Sequence, residues 1–286
     1  MIKKGIILAG GTGTRLSPLT KSVNKQLLPL YDKPLIFYPL SILMLAGIKN
    51  VLIIVNNGQE KNFFNILGNG KRYGINIKYK VQKKPRGIAD AFILGKNFIK
   101  KDNVALILGD NFFYGQSLTT KLLKAKSHKS GATVFLKIVR NPESFGVAVI
   151  KKLQISKIVE KPKKFISNQA ITGLYFFDNK VVQIASKVKP SKRNELEITD
   201  VLKSYQSKNN LNYEEIGRGA IWSDAGKIKD LTNLSNFVHS VEKVQNVKIA
   251  CLDEIALNQK WISREQLKNN ITFYGNCDYS DYLKLL

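Results

Sequence analysis

Three short runs in which almost every residue is apolar set the architecture of this chain. They are Lys4-Gly5-Ile6-Ile7-Leu8-Ala9, Val51-Leu52-Ile53-Ile54-Val55 and Val104-Ala105-Leu106-Ile107-Leu108. Each is too short for a buried helix and shows no polar alternation. That is the pattern of strands covered on both faces, as in a parallel sheet. Between the first two, Pro34 to Ala46 predicts a helix, with a proline at its start and Gly47 beyond its end. A helix near 59–67, a Gly-Asn-Gly turn at 68–70, a strand at 76–81 and a helix from Ile88 to Phe98 continue the alternation. Repeated β-α-β units of this kind build a doubly wound, mostly parallel, Rossmann-like α/β sheet. From residue 131 the strand-like segments crowd together, at 132–139, 146–151, 155–160 and 171–177, which predicts an antiparallel extension. Helices follow near 195–206 and 228–243. A final helix starts at Ser263, with Gln266 completing a capping box, in a small C-terminal helical appendage. No repeat or linker interrupts the chain, so residues 1–286 read as one domain, with halves 1–115 and 116–245 and the appendage 246–286.

Composition narrows the function classes. The 286 residues are 44% hydrophobic and 23% charged, and no apolar run approaches the roughly 18 residues of a membrane span. Cys251 and Cys277 offer neither metal-ligand spacing nor a disulfide framework, and the first residues lack a secretory apolar region. A reducing, cytoplasmic setting is the expectation. The net charge of +25 is nearly all lysine, with seven arginines, and it is scattered along the chain. Its densest spots, Lys83-Lys84-Pro85-Arg86 and Lys161-Pro162-Lys163-Lys164, are short and carry no interleaved aromatics. This reads as a solvated surface suited to small anions, and not as a nucleic-acid footprint or a membrane-binding face.

The segment after the first strand, Gly10-Gly11-Thr12-Gly13-Thr14-Arg15, raises the question of which anion it holds. It lacks the Gly-Lys-Ser/Thr ending of a P-loop. It is also not a dinucleotide fingerprint, because Leu16 stands where the third glycine belongs. Its glycines let backbone N–H groups approach an anion, and Arg15 adds a planar, permanently charged fork. A tight turn with a surface arginine is the alternative. Ten residues on, Lys25-Gln26 is placed to return to the same anion. Asp110 follows the buried strand 104–108, at the edge where α/β sheets bind ligands, and Asp224 follows Ala220-Ile221-Trp222. Two carboxylates from separate strand ends suit Mg²⁺ between protein and phosphates. For either aspartate alone, a turn or cap role is the alternative. His128 and His239 are the only histidines, and no nucleophilic triad can be assembled.

These stretches together are similar to the sugar-nucleotide pyrophosphorylases, and within them to the bacterial glucose-1-phosphate thymidylyltransferases. The resemblance is carried by GIILAGGTGTRLSPLT (5–20), NKQLLPLYDKPLIFYPLSILMLAGI (24–48), VQKKPRGIADAF (81–92) and LGDNFFYG (108–115). It continues through VEKPKK (159–164), ITGLYFFD (171–178), KRNELEITD (192–200), IWSDAG (221–226) and DEIALNQKWI (253–262). It covers essentially the whole chain in order.

The resemblance implies a nucleotidyltransferase fold with a nucleotide-binding half (1–115) and a sugar-phosphate-binding half (116–245). It also implies Mg²⁺-dependent transfer of dTMP from dTTP to a sugar 1-phosphate, and a homo-oligomer, a tetramer in the family. Arg15, Lys25, Asp110, Lys161 and Asp224 take the catalytic roles, with Asp110 and Asp224 as metal ligands. Leu8, Gly10, Gly11, Gly13, Thr14, Arg15, Lys25, Gln26, Gln82, Gly87 and Asp110 bind the nucleotide, Gln82 and Gly87 meeting the base. Asn111, Gly146, Glu160, Lys161, Ile171, Tyr175 and Arg193 bind the sugar phosphate. The chain departs from the family pattern at Phe145 and Val149, where a hydroxyl and a carboxylate are usual. Arg86, Ala225 and Lys227 are further departures. They leave open which sugar 1-phosphate is used, and Gln82 alone does not separate thymine from uracil.

Overall fold

A computed structural model describes residues 2–11 and 13–286. Its strands are β1 (Lys4–Ala9), β2 (Pro29–Leu30), β3 (Lys33–Pro34), β4 (Asn50–Asn56), β5 (Asn76–Gln82), β6 (Val104–Leu108) and β7 (Phe112–Gly115). They continue with β8 (Ala132–Ile138), β9 (Gly146–Lys151), β10 (Gln154–Glu160), β11 (Gln169–Phe177), β12 (Leu211–Glu215) and β13 (Ala220–Ser223). Among the described residues, nine of them form one sheet with the path β10-β9-β11-β6-β1-β4-β5, while β8 joins β11 to β12.

The three apolar runs lie side by side as the parallel strands β6, β1 and β4, and β5 is parallel at the edge. Alternate residues face opposite sides. Ile7, Ile53 and Ile107 pack with Leu40, Leu43 and Met44 of the helix Phe37–Leu45. Ile6, Leu52, Ile54 and Leu106 pack on the other face with Phe92, Val181 and Val201. This is the doubly wound α/β arrangement that the periodicity dictates. The antiparallel extension is present as well: β11 runs antiparallel to β6, β8 and β9, and β9 antiparallel to β10. The C-terminal helices, among them Leu252–Asn258 and Arg264–Tyr274, contribute Leu252, Ala256, Leu267, Tyr279 and Leu283 to the first of these cores.

Several boundaries differ from the sequence expectation. Pro34 does not start a helix: it pairs with Pro29 in the β2–β3 hairpin, and the helix begins at Phe37. The proline inside it is Pro39, in the first turn, where a missing N–H leaves no helical bond unmade. The helix expected from Ile88 to Phe98 is two pieces, Asp90–Leu94 and Lys96–Ile99, meeting at Gly95. Ser263 does cap Arg264–Tyr274, its hydroxyl accepting from the Gln266 N–H at 3.1 Å. That helix is the penultimate one, and Asp278–Lys284 follows.

Candidate active site

The parallel strands bring their C-terminal ends to one edge, where the loop after β1 (residues 10–16), Asn56 at the end of β4, Gln82 at the end of β5 and Asp110 after β6 meet. The loop is clamped there: Asn56 Nδ2 donates to the Gly11 carbonyl at 2.7 Å, and Asn56 Oδ1 accepts from the Gly11 N–H at 3.0 Å. A Cβ on Gly10 would stand 2.4 Å from Gln82 Oε1, so any larger residue there would displace the Gln82 amide. A hollow of about 200 Å³ lies under the loop, lined by Gly10, Gly11, Gly13, Thr14, Arg15 and Lys25, with Gln26, Asp110 and Gly226 closing it. Leu8 lies in β1 just before the loop, its carbonyl accepting from the Gly109 N–H at 2.9 Å.

Lys25 opens a 3₁₀ turn (Lys25–Leu27) held by Asn24, whose side chain accepts from the Gln26 N–H. Its ammonium is buried and donates to Asp110 Oδ2 at 2.7 Å and to the Asp224 carbonyl at 3.2 Å. Asp110 Oδ1 accepts from Asn111 Nδ2 at 2.9 Å. The two aspartates come together through the ribbon β7–β13, which ends at the pair Phe112–Ser223 and leaves Asp110 and Asp224 just beyond it. Burial raises the Asp224 carboxyl above its ordinary range, and the Asp110 charge adds to this; Lys25 and Arg15 oppose it. Burial thus disfavours the ionised Asp224, and a cation bound beside it would offset that penalty. Among the described residues, no cluster of three or more metal-ligating side chains forms a closed metal cage. Two carboxylates are an oxygen-donor set that would suit a magnesium ion keeping several of its waters.

A second cavity of about 500 Å³ adjoins the hollow and shares Arg15 and Asp110 with it. Asn111, Gly146, Glu160, Lys161, Ile171, Tyr175 and Arg193 all line it, together with Phe145 and Trp222. Arg193 donates from Nη2 to Glu160 at 3.0 Å and to Glu197 at 2.8 Å, and from Nε to Glu197 at 3.2 Å. Burial and the neighbouring Glu197 push the Glu160 carboxyl up, with Arg193 and Lys161 pulling back. Asn111 is buried and committed within the protein. Its Oδ1 accepts from Trp222 Nε1 at 2.6 Å and from the Gly173 N–H at 3.1 Å, so it positions Asp110 and Trp222 as well as lining the wall. Lys161 is exposed, with a left-handed φ of 41°. Phe145 stands edge-on to Trp222 with ring centroids 5.0 Å apart, so this wall presents rings where a hydroxyl was the family expectation.

Known proteins match the chain over nearly its whole length. The nucleotidyl transferase family model matches residues 4–241. The glucose-1-phosphate thymidylyltransferase of Neisseria meningitidis serogroup A is 48% identical over 281 residues, 98% of each chain. That of Xanthomonas campestris is 46% identical over 285 residues, 99% of this chain and 97% of the relative. The chain belongs to the nucleotidyl transferase family. Among solved structures, a UDP-glucose pyrophosphorylase complexed with UDP-glucose superposes with a TM-score of 0.73 at 26% identity, covering 84% of this chain and 99% of that one.

In this nucleotidyl transferase the structure adds residues that the sequence alone did not single out. Asp90 accepts from Gln82 Nε2 at 2.9 Å and from Arg86 Nη2 at 2.7 Å. The Gln82 amide is thereby oriented, with Oε1 turned toward Gly10 and one N–H already used. Gly87, at φ 98°, approaches the Leu196 backbone so closely that a Cβ would lie 2.5 Å from its carbonyl oxygen. Glu197 is the main partner of Arg193. Asn56 carried the one available signal, a polar residue at the C-terminal end of an apolar parallel strand.

Proposed function

We propose that this chain transfers dTMP from dTTP to glucose 1-phosphate, releasing pyrophosphate, with Mg²⁺ held by Asp110 and Asp224. The observation that carries this reading is the junction of the loop hollow and the sugar-side cavity at Arg15 and Asp110. Such a junction suits one phosphate from each side. The choice of thymidine nucleotide and glucose rests on the names of the relatives. A bound divalent cation would supply charge neutralisation on the phosphates.

The chain's own groups do the remaining work. Backbone N–H groups of the glycine loop cradle the triphosphate, and Arg15 adds charge at the boundary of the two cavities. Lys25, anchored on Asp110, keeps an ammonium beside the α-phosphate and fixes the carboxylate it touches. Gln82 Oε1 accepts from the pyrimidine N3–H while Asp90 holds its amide. Lys161 and Arg193 grip the sugar phosphate, and Glu160 accepts from sugar hydroxyls. A phosphate oxygen of the sugar 1-phosphate attacks the α-phosphorus. The bond to the bridging oxygen breaks, and pyrophosphate leaves with the electron pair. No proton needs to move, in keeping with a site built without a general base; its effect is alignment and charge stabilisation.

The test is pyrophosphate release with dTTP, UTP, CTP and ATP against a panel of sugar 1-phosphates, with and without Mg²⁺. Glucose 1-phosphate with dTTP should give the highest kcat/KM, and no turnover with any pair would overturn the reading. Asp110→Asn should lower kcat by about 10²–10³-fold with an unchanged circular dichroism spectrum. Full rate at ordinary Mg²⁺ would remove Asp110 from the metal site.

A further inference from the structure

Two of the proposed catalytic groups stand at the starts of segments that pack against each other. Lys25 leads into the β2–β3 hairpin, and Asp224 into the long helix Ile228–Gln245. At their starts the segments touch where the Lys25 ammonium donates to the Asp224 carbonyl at 3.2 Å. Further along, Leu28 and Leu30 share a core with Leu231, Leu234 and Val238, and the Tyr31 N–H donates to Ser235 Oγ at 3.1 Å. At the far end they are joined by charge. Lys33, buried in β3, donates to Asp32 and, at 3.1 Å, to Oε1 of the buried Glu242. Lys248, just beyond the helix, pairs with Asp32 at 2.5 Å and with Glu242 at 3.5 Å. Glu242 Oε1 also accepts from the Ile249 N–H at 2.8 Å.

This quartet balances two charges of each sign, and none of its members lines the loop hollow or the sugar-side cavity. Its energetics differ from those of the apolar contacts beside it. Leucine and valine packing is non-directional and would largely survive a slide of the helix by one residue, about 1.5 Å. The quartet would not, because a slide leaves a buried charge without its partner, which is strongly unfavourable. A buried ion pair adds little net stability over apolar side chains of similar size, and its best-attested use is to fix register. The same slide would carry Asp224 away from Lys25. A displacement of about 1 Å at a reacting centre can cost about a hundredfold in rate.

We infer that the Lys33–Glu242 clasp is a positioning device: it sets the register of the helix Ile228–Gln245 against residues 25–34 and so holds Asp224 beside Lys25 and Asp110. This rests on the transferase reading above and extends it to residues remote from the reacting atoms.

The experiment uses Lys33→Met combined with Glu242→Gln, which removes one charge of each sign, keeps side-chain length and leaves Asp32 paired with Lys248. The circular dichroism spectrum should be unchanged and Tm should stay within a few degrees of the wild type. The kcat for pyrophosphate release should fall about ten- to a hundredfold, and the Mg²⁺ concentration for half-maximal rate should rise about tenfold. KM for glucose 1-phosphate should not change. Leu122→Ala, buried in a different core, should lower Tm and leave the Mg²⁺ requirement unchanged. Wild-type kcat and Mg²⁺ requirement in the double variant overturn the inference, as does an equal change of that requirement in Leu122→Ala. If the double variant does not fold, Glu242→Asp decides: it keeps the charge but draws it back by one methylene, and a Mg²⁺ requirement that stays at the wild-type value overturns the inference. Wild-type protein without turnover would instead sink the transferase reading. The rise in Tm on adding Mg²⁺ with dTTP then tests the clasp without turnover: it should be smaller in the double variant, and an equal rise overturns the inference.

Discussion

At the scale of single residues, the site is held in a state that its own charges oppose. Asp224 is partly buried beside Asp110, and both burial and that neighbour push its carboxyl up. A carboxyl raised in the folded state favours folding when protonated and loses that advantage as pH rises through its folded value. At neutral pH without a divalent cation, Asp224 is therefore a net liability. Asp224→Asn should raise Tm in EDTA at neutral pH while abolishing pyrophosphate release, and the gain should shrink toward acidic pH. A lowered Tm under those conditions would show that the carboxylate is well compensated. The same scale shows the limit of reading function from sequence. Arg15, Lys25 and Asp110 were legible because glycine spacing and strand ends mark them. Asp90 and Glu197 were not, since each acts by holding a neighbouring site residue and no spacing marks that role; Asn56 had only its place at a strand end, and its partner Gly11 lies 45 residues away.

At the scale of elements, one short segment joins the walls of both proposed substrate sites. Residues 193–199 place Arg193, Glu197 and Thr199 in the wall of the second cavity, the proposed sugar side. Between them the Leu196 N–H donates to the Arg86 carbonyl at 2.6 Å, and the Leu196 carbonyl accepts from the Ala89 N–H at 3.2 Å. This ties the segment to the loop around Gly87, the proposed base contact. Gly87→Ala combines a left-handed φ with a collision against that backbone. It should cost roughly 1–3 kcal/mol of stability and raise KM for both substrates together, measured by denaturant unfolding and initial rates. A rise for the nucleotide alone would separate the two loops. Elements of this kind are invisible to periodicity. Long strands and amphipathic helices announce themselves, but the β7–β13 ribbon pairs segments far apart in the chain, and the two-residue strands of the β2–β3 hairpin are too short to show a period. Pro34 illustrates the point: the residue preceding a helix and the residue closing a hairpin look alike until the partner strand is known.

At the scale of the molecule, the dominant fact is the net charge of +25, spread over the surface as lysine. Such a shell repels itself. Raising ionic strength from about 0.01 to about 0.1 M shortens the screening length from about 30 to about 10 Å. Thermal unfolding should therefore shift upward by a few degrees over that range, while KM for the anionic substrates increases. A flat Tm would mean that the lysines are already neutralised locally. No helix of the described residues is long and apolar enough to cross a membrane.

The contact of Lys25 with Asp110 and with the Asp224 carbonyl joins positions 85 and 199 residues apart along the chain. Loop closure over such separations costs entropy, and the sheet meets the same cost where Lys4 pairs with Val104. Turnover is thus a sensor of the whole fold: any opening of the β1–β6 pairing parts Lys25 from Asp110, so activity should vanish in denaturant no later than the sheet signal does.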